Sequence, residues 1–304
     1  MQGEADLVPA VNELNAFLAQ TRAQLQRYIN YDGTLKVPLP KDERLRQSKP
    51  AFEHFIVQDE ERKSIDWRQE LLDVAILVDT TLFRAYMLTR PTLAGPLFRL
   101  DNFCAPEVVE EKLYESRRYN DLIDFLYGKG LHNEALELLQ KFGKDDHGNM
   151  DGNLRGPRRT VLYLQQLPFE MIDTILRFAT WPIEVDAELG MEVFLADTEM
   201  AETLPRDRVL EFLQGVSSAL AMRYLEHIIQ EFKDITPEMH EQLISMYLER
   251  IGQDSPTQEE PSSWQLKLEA LLQDSEHYNM AKVLRELPKS DGEWVRVRSM
   301  RIAD

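Results

Sequence analysis

The chain has 304 residues, of which 43% are hydrophobic and 29% are charged, so it is long enough to bury a large core. Its formal net charge of −18 argues against a nucleic-acid backbone or an anionic membrane surface as a direct partner. The single cysteine, Cys104, excludes an internal disulfide and a zinc site built from several thiolates, and we expect it to be a buried small apolar residue in a protein of a reducing, cytosolic compartment.

The first predicted region, residues 1–90, contains two long helices. Apolar residues at helical spacing predict a helix over residues 8–29. The segment 32–64 is polar and carries three prolines, so we expect a flexible insertion there. Asp66 is a candidate N-cap for a strong helix over residues 67–88. The most apolar run of this helix, VAILVDTTLF, is too short to span a membrane and is interrupted by an aspartate.

The second predicted region, residues 91–304, continues with shorter helices. Two of its loops, near residues 143–157 and 252–263, are rich in glycine, proline and charge, and we expect them to be mobile. Pro168 and Pro182 are expected to separate neighbouring helices. The tail EWVRVRSMRIAD fits either a helical turn or a loose strand. Helices are predicted at 92–100, 106–116, 158–166, 169–180, 183–195, from 205 onward, and at 217–232, 237–250, 262–273 and 278–287.

The stretch YNDLIDFLYGKGLHNEALELLQKFG, residues 119–143, predicts two amphipathic helices separated by Gly128 and Gly130. Two apolar stripes are more than one hairpin can bury alone, so we interpret the pair as one layer of a stacked helical repeat. The tetratricopeptide template fits only loosely, because Ile123 stands where it requires glycine, and an ordinary hairpin of a globular domain stays an alternative. The predicted packing residues of the hairpin are Tyr119, Leu122, Leu126, Ala135, Leu139 and Phe142.

Hairpins recur along the chain without a fixed period, and no clear strand interrupts them. This pattern predicts an all-α fold, and specifically an α-solenoid of irregular helical hairpins rather than a compact bundle.

No motif supports catalysis, a cofactor or a metal site. GKGLHN lacks the third glycine of a dinucleotide fingerprint, because Asn133 stands in its place. The loop DDHGNMDGN would place His147 first and Arg158 last in a calcium loop, where a carboxylate and a bidentate glutamate are needed. The six histidines show no metal-ligand spacing. We therefore expect no enzyme.

Several stretches, taken in order, resemble the vacuolar protein sorting 39 family. They are VDTTLFRAYML, GPLFRLDNFC, YNDLIDFLYGKGLHNEALELLQKF, RTVLYLQQL, ETLPRDRVLEFL and AMRYLEHII. The resemblance covers residues 66–287, and residues 1–64 are placed by continuity. It implies a clathrin-heavy-chain-repeat-like α-solenoid from the middle of a larger subunit of the HOPS tethering complex. Members of this family have an amino-terminal β-propeller that engages a late-endosomal or vacuolar Rab GTPase, and a cysteine-rich end that joins the complex. This sequence shows neither part.

The resemblance implies a structural segment of a membrane tether that acts in fusion at the late endosome and the vacuole or lysosome. Its partners would be other HOPS subunits and, through parts outside these residues, a Rab GTPase; the protein would be cytoplasmic and peripheral at those membranes. Two alternatives stay open. One is a nucleotide-exchange regulator of a small GTPase, and the other is a peptide-binding adaptor of the tetratricopeptide kind.

Overall fold

The computed structural model describes residues 2–36, 66–145, 151–253 and 263–286. Fifteen α-helices and no multi-residue strand occur in these ranges, so the predicted all-α fold is confirmed for the described part of the chain. The chain divides into two compact units, Met1–Phe142 and Gly143–Asp304. The boundary predicted at residues 90–91 lies inside the first unit and stays a prediction.

The first unit contains six helices and a short 3-10 turn at Pro91–Leu93. The helices are α1 (Gln2–Leu25), α2 (Trp67–Thr89), α3 (Ala94–Phe98), α4 (Pro106–Glu115), α5 (Tyr119–Gly128) and α6 (His132–Gly143). The second unit contains nine helices and a 3-10 turn at Phe169–Met171 among its described residues. They are α7 (Arg158–Leu164), α8 (Ile172–Val185), α9 (Ala187–Leu195), α10 (Glu199–Thr203), α11 (Arg206–Val216), α12 (Ser218–Gln230), α13 (Pro237–Gln253), α14 (Ser263–Asp274) and α15 (Met280–Glu286).

Helices α1 and α2 form the first pair of the first unit. Leu18 packs against Val78 and Leu82 in a buried apolar cluster. Asp66 caps α2 as predicted, because its side chain accepts hydrogen bonds from the backbone amides of the second and third residues after it. Within the rest of this unit, α2 contacts α4, α3 contacts α5, and α4 contacts α5, so each helix packs against near neighbours in the sequence.

Helix α1 ends at Leu25, four residues earlier than predicted, because the chain turns there. Ile29 forms an isolated antiparallel bridge with Leu35, and its side chain is buried in a cluster with Ala75 and Phe103. Gly33 closes this turn at φ +77°, a conformation that residues with a Cβ resist. Residues 32–36, predicted to begin the flexible insertion, are therefore an ordered turn, and residues 37–65 lie outside the described residues.

The second unit repeats the neighbour-to-neighbour pattern. Helix α8 contacts α7, α9 and α11; α12 contacts α9, α11 and α13; and α13 contacts α14 and α15. Such packing within each unit is the solenoid-type arrangement that the sequence predicts. Gly190 on α9 makes the crossing with α8 close, since a Cβ at this position would lie 2.6 Å from the backbone nitrogen of Ile183.

Three details of the second unit differ from the prediction. Pro182 lies inside α8 and does not separate two helices; the break comes at Asp186, whose extended backbone and side-chain bond to the amide of Leu189 start α9. The short helix α10 was not predicted. In the loop 143–157, Leu154 is fully buried and the amide of Gly156 bonds to the carbonyl of Gly143, so this end of the loop is ordered.

Residues 146–150 of the same loop, most of the loop 252–263 and the tail from residue 287 lie outside the described residues. The predictions of mobility in those segments, and the two interpretations of the tail, therefore stay predictions.

Candidate scaffold site: a hairpin core and a buried polar junction

The six predicted packing residues all lie in the α5–α6 hairpin. Five of them have 1% or less of their surface exposed, namely Leu122, Leu126, Ala135, Leu139 and Phe142. Tyr119 is half-buried, and its ring lies 4.7 Å from the ring of Phe142, centroid to centroid. The residues thus line the interior of the hairpin, and their role as the packing surface between stacked layers stays a prediction.

Aromatic contacts join both ends of this hairpin and tie it to α4. Tyr119 begins α5 and faces Phe142 at the end of α6, while Tyr127 meets His132 with ring centroids 5.3 Å apart. Tyr114 on α4 contacts Tyr119 edge-on at 5.4 Å. The antiparallel pair is therefore held at its two ends, and a third helix closes one of them.

The predicted hinge glycine Gly130 has φ +70°, the left-handed conformation that ends a helix. The amide of Leu131 bonds to the carbonyl of Leu126 at 2.9 Å, which satisfies a carbonyl at the end of α5. Glycine at this position thus lets the chain reverse within a few residues.

A buried carboxylate organises the rest of the first unit. Asp79 on α2 is 1% exposed and accepts two hydrogen bonds: from Nε of Arg22 on α1 at 3.0 Å and from the amide of Phe103 at 2.8 Å. Both carboxylate oxygens are thus occupied, by different elements of the chain. We call Arg22, Asp79, Phe103 and Cys104 the Asp79 junction. Because an unpaired buried charge is costly, the junction fixes α1 and the segment before α4 on α2.

Cys104 is buried, as predicted, and belongs to this junction. Its Sγ donates to the backbone carbonyl of Asp79 at 3.4 Å. Burial, reinforced by the negative charge of Asp79, raises the pKa of the thiol to about 12. The thiol therefore stays protonated at neutral pH and is a poor nucleophile.

Lys129, which follows α5, also binds the segment that precedes α4. Its Nζ donates to the carbonyl of Asn102, and burial lowers the pKa of the ammonium from its ordinary value. Sequence reasoning noticed Asp79 only as an interruption of an apolar run. An acidic residue inside an otherwise apolar helical segment was the available signal, since such a charge is rarely buried without a partner.

The second unit contains an open cleft of about 580 Å³ between α7, α9 and α12. Three of its charged side chains are paired: Arg223 binds Glu188 at 2.6 Å, and Glu226 accepts from Tyr247 and Lys267. The cleft is lined by Gln165, Glu188, Glu192, Leu195, Ala196, Arg223, Glu226, His227, Gln230 and Glu231. No serine, threonine or cysteine is among these residues, so the cleft offers no hydroxyl or thiol nucleophile.

In the part of the chain that the structure describes, no three histidine, cysteine or acidic side chains come together in a way that could hold a metal ion. No helix there is both long and apolar enough to cross a membrane. Five residues of the loop considered as a calcium site, 146–150, are outside the described ranges.

The fold and the site thus define an α-helical repeat scaffold. The family model described as vacuolar sorting protein 39 domain 1 matches residues 78–183. The chain therefore carries domain 1 of the vacuolar sorting protein 39 family, and it is homologous to Vps39/Vam6 proteins over most of its length.

Three relatives illustrate this homology. The vacuolar protein sorting-associated protein 39 homolog of Drosophila melanogaster is 31% identical over 84% of this chain and 30% of its own length. The Vam6/Vps39-like protein of Mus musculus is 30% identical over 93% of this chain and 31% of its own. Vacuolar morphogenesis protein 6 of Schizosaccharomyces pombe is 27% identical over 92% of this chain and 31% of its own length. The chain thus spans about a third of the length of these relatives. No solved structure matches it.

Proposed function

We propose that this chain is a structural scaffold segment of a HOPS-type membrane-tethering subunit. It acts in fusion at the late endosome and the vacuole or lysosome, and so in vesicle-mediated protein transport. The observation that carries the proposal is the homology to vacuolar sorting proteins over 84–93% of the chain. The buried hairpin core and the Asp79 junction support it, because they use the side chains of the chain for packing rather than for chemistry.

The mechanism follows from neighbour-to-neighbour packing. A helical array in which each layer contacts only the next can act as a moderately elastic spacer. Such a spacer keeps a Rab-binding part of the larger subunit at a distance from the part that joins the other HOPS subunits. The assembly can then hold two membranes at once. The Rab contact would lie outside the residues of this chain, and the protein would be cytoplasmic and peripheral at the vacuole and late endosome.

The negative net charge of the chain favours contact with a membrane through partner proteins rather than directly. The net charge of −18 opposes binding to anionic lipid, so the chain would reach the membrane through partner proteins. Clustering of liposomes by the purified chain can be tested with two kinds of liposome, one neutral and one containing phosphatidylserine.

The expected result is that the chain clusters neither kind of liposome and does not retain a vacuolar Rab GTPase on beads. The full-length subunit is the matched positive control for retention of the Rab GTPase. Clustering of liposomes by the chain alone would contradict the scaffold proposal, because it would show that these residues contain a membrane-binding site.

A nucleotide-exchange assay separates the scaffold from the regulator of small GTPases. The chain is mixed with Rag-type and Rab GTPases loaded with fluorescent nucleotide, and release is followed over time. We expect release at the intrinsic rate. A dose-dependent acceleration would show a catalytic role and would overturn the proposal.

A further inference from the structure

His240, near the start of α13, is buried and hydrogen-bonded through both ring nitrogens. It is 2% exposed; Nε2 lies 2.8 Å from the backbone oxygen of Asp234, and Nδ1 lies 2.8 Å from Oγ of Ser275. A carbonyl oxygen can only accept, so Nε2 must carry the proton. Nδ1 then accepts from the hydroxyl of Ser275. For the neutral ring, the geometry therefore selects the tautomer in which Nε2 carries the proton and Nδ1 accepts.

The imidazole joins three parts of the second unit. Asp234 lies in the connection between α12 and α13, and Ser275 directly follows α14. Oγ of Ser275 also accepts from the amide of His277 at 3.1 Å, which shapes the connection to α15. One ring thus links the α14–α15 hairpin to the start of α13.

Two carboxylates around this ring, those of Asp234 and Glu241, lie in ion pairs. The buried carboxylate of Asp234 forms an ion pair with Arg206 of α11. Glu241, next to His240, accepts from Nζ of Lys282 on α15 at 2.6 Å. Further ionisable side chains on the segments packed there are exposed, namely Glu231, Lys233, Glu238, Asp274, Glu276 and Arg285.

His277 lies beside this ring. Its ring centroid lies 5.6 Å from that of His240. Burial, and then the positive charge of His277, lower the pKa of His240 from its ordinary value of 6.5. The neutral ring therefore contributes stability that is fully present above pH 6.5 and is lost as the pH falls through the lowered value.

We infer that His240 is a protonation-sensitive latch that holds the α14–α15 hairpin on α13. In the neutral state the ring accepts from Ser275 and donates to Asp234. A second proton turns Nδ1 into a donor toward Oγ of Ser275, so the hydroxyl hydrogen of Ser275 can no longer point at Nδ1. It also places a positive charge beside His277. Both effects loosen the segment 263–286, while the Glu241–Lys282 pair stays charged in this pH range.

The test is hydrogen–deuterium exchange by mass spectrometry at pH 7.5 and pH 5.5, corrected for the intrinsic pH dependence of exchange. Protection of peptides from residues 263–286 should fall at the lower pH. Uptake of one proton at one pH unit below 6.5 can lower the protection factor of these amides by up to about tenfold. Peptides from α4 and α5 in the first unit should keep their protection. Equal protection of residues 263–286 at both pH values would overturn the inference.

Three glutamine variants identify the responsible ring. His240→Gln should remove the pH dependence of residues 263–286, since glutamine does not titrate. His277→Gln should keep it with a midpoint at higher pH, because the opposing charge is gone. His132→Gln, the same change in the other unit, should leave it unaltered. A pH dependence that persists in His240→Gln would contradict the latch.

Because His240→Gln can fail to fold, the wild-type ring is also titrated by NMR with labelled histidine. We expect the tautomer with the proton on Nε2 and a midpoint below 6.5 that coincides with the loss of protection. The opposite tautomer, or a midpoint at 6.5 or above, would overturn the inference without any variant.

Discussion

Asp79 places a negative charge in the interior of the first unit, and the effect of this charge on stability depends on its hydrogen-bond partners. Arg22 and the amide of Phe103 occupy its two oxygens, so the cost of removing the charge from water is offset by charge-assisted bonds. The benefit of such a site is specificity of arrangement, because a shifted α1 or a different path before α4 would leave the charge unpaired.

Replacing Asp79 by alanine should destabilise the protein by about 3 kcal/mol or more, because Nε of Arg22 and the amide of Phe103 lose their acceptor inside the protein. Guanidinium unfolding measures the change. Asp73→Ala, on the exposed face of the same helix, is the matched control and should stay within about 0.5 kcal/mol. Equal, small effects of both changes would show that the junction adds nothing to stability.

Ala135 is a second residue whose surroundings dictate its size. Its side chain is fully buried inside the α5–α6 hairpin, so Ala135→Leu should overpack the hairpin and cost about 1–3 kcal/mol. Thermal unfolding provides the readout. Ala19→Leu makes the same change at an exposed site of α1 and should leave the melting temperature nearly unchanged. If both variants melt together with the wild type, the face of the hairpin is open rather than packed.

At the scale of elements, the crossing of α8 and α9 depends on the absence of a side chain. A Cβ at position 190 would lie 2.6 Å from the nitrogen and 2.7 Å from the Cα of Ile183, and backbone atoms cannot move aside as a flexible side chain can. The two helices must therefore separate to accept any larger residue.

Gly190→Ala should consequently destabilise the second unit by about 1–3 kcal/mol. The control is Gly215→Ala on α11, where no atom lies within 4 Å of the added Cβ. That change should be neutral or stabilising by up to about 1 kcal/mol, since alanine is the better helix former. Opposite signs in a chemical unfolding experiment support the close crossing, and a stabilising Gly190→Ala would refute it.

The elements that sequence reasoning located correctly are those fixed by local chemistry. The N-cap Asp66, the hinge glycine Gly130 and the apolar stripes of the α5–α6 hairpin are each determined within a few residues. Pro182 misled the prediction because a proline in the last turn of a helix removes a single hydrogen bond. That loss is tolerated because the helix ends three residues later, at Val185.

Only part of the candidate site could be predicted from the sequence, because its polar residues come from segments that are far apart in the chain. Arg22 and Asp79 are 57 residues apart, and no periodicity in the sequence pairs them. The same holds for His240 and Ser275, which are separated by 35 residues. Local patterns predict which faces are apolar, but they do not predict which buried polar groups meet.

At the scale of the whole molecule, we propose that these residues serve as a spacer inside a larger tethering subunit. A spacer is defined by its length and stiffness rather than by its surface. Another helical array of similar size should therefore be able to take its place. The compact second unit, residues 143–304, is the natural part to exchange, because its boundary leaves the first unit intact.

The most direct measurement is a reconstituted vacuole fusion assay with three versions of the full-length subunit: wild type, a deletion of residues 143–304, and a replacement of that unit by an unrelated helical repeat of equal length. Pull-downs with the Rab GTPase and with the other HOPS subunits accompany it, to show that both ends still bind. We expect the deletion to abolish fusion while both ends keep their partners, and the replacement to restore it. Normal fusion by the deletion, or failure of the replacement despite intact binding at both ends, would contradict the spacer.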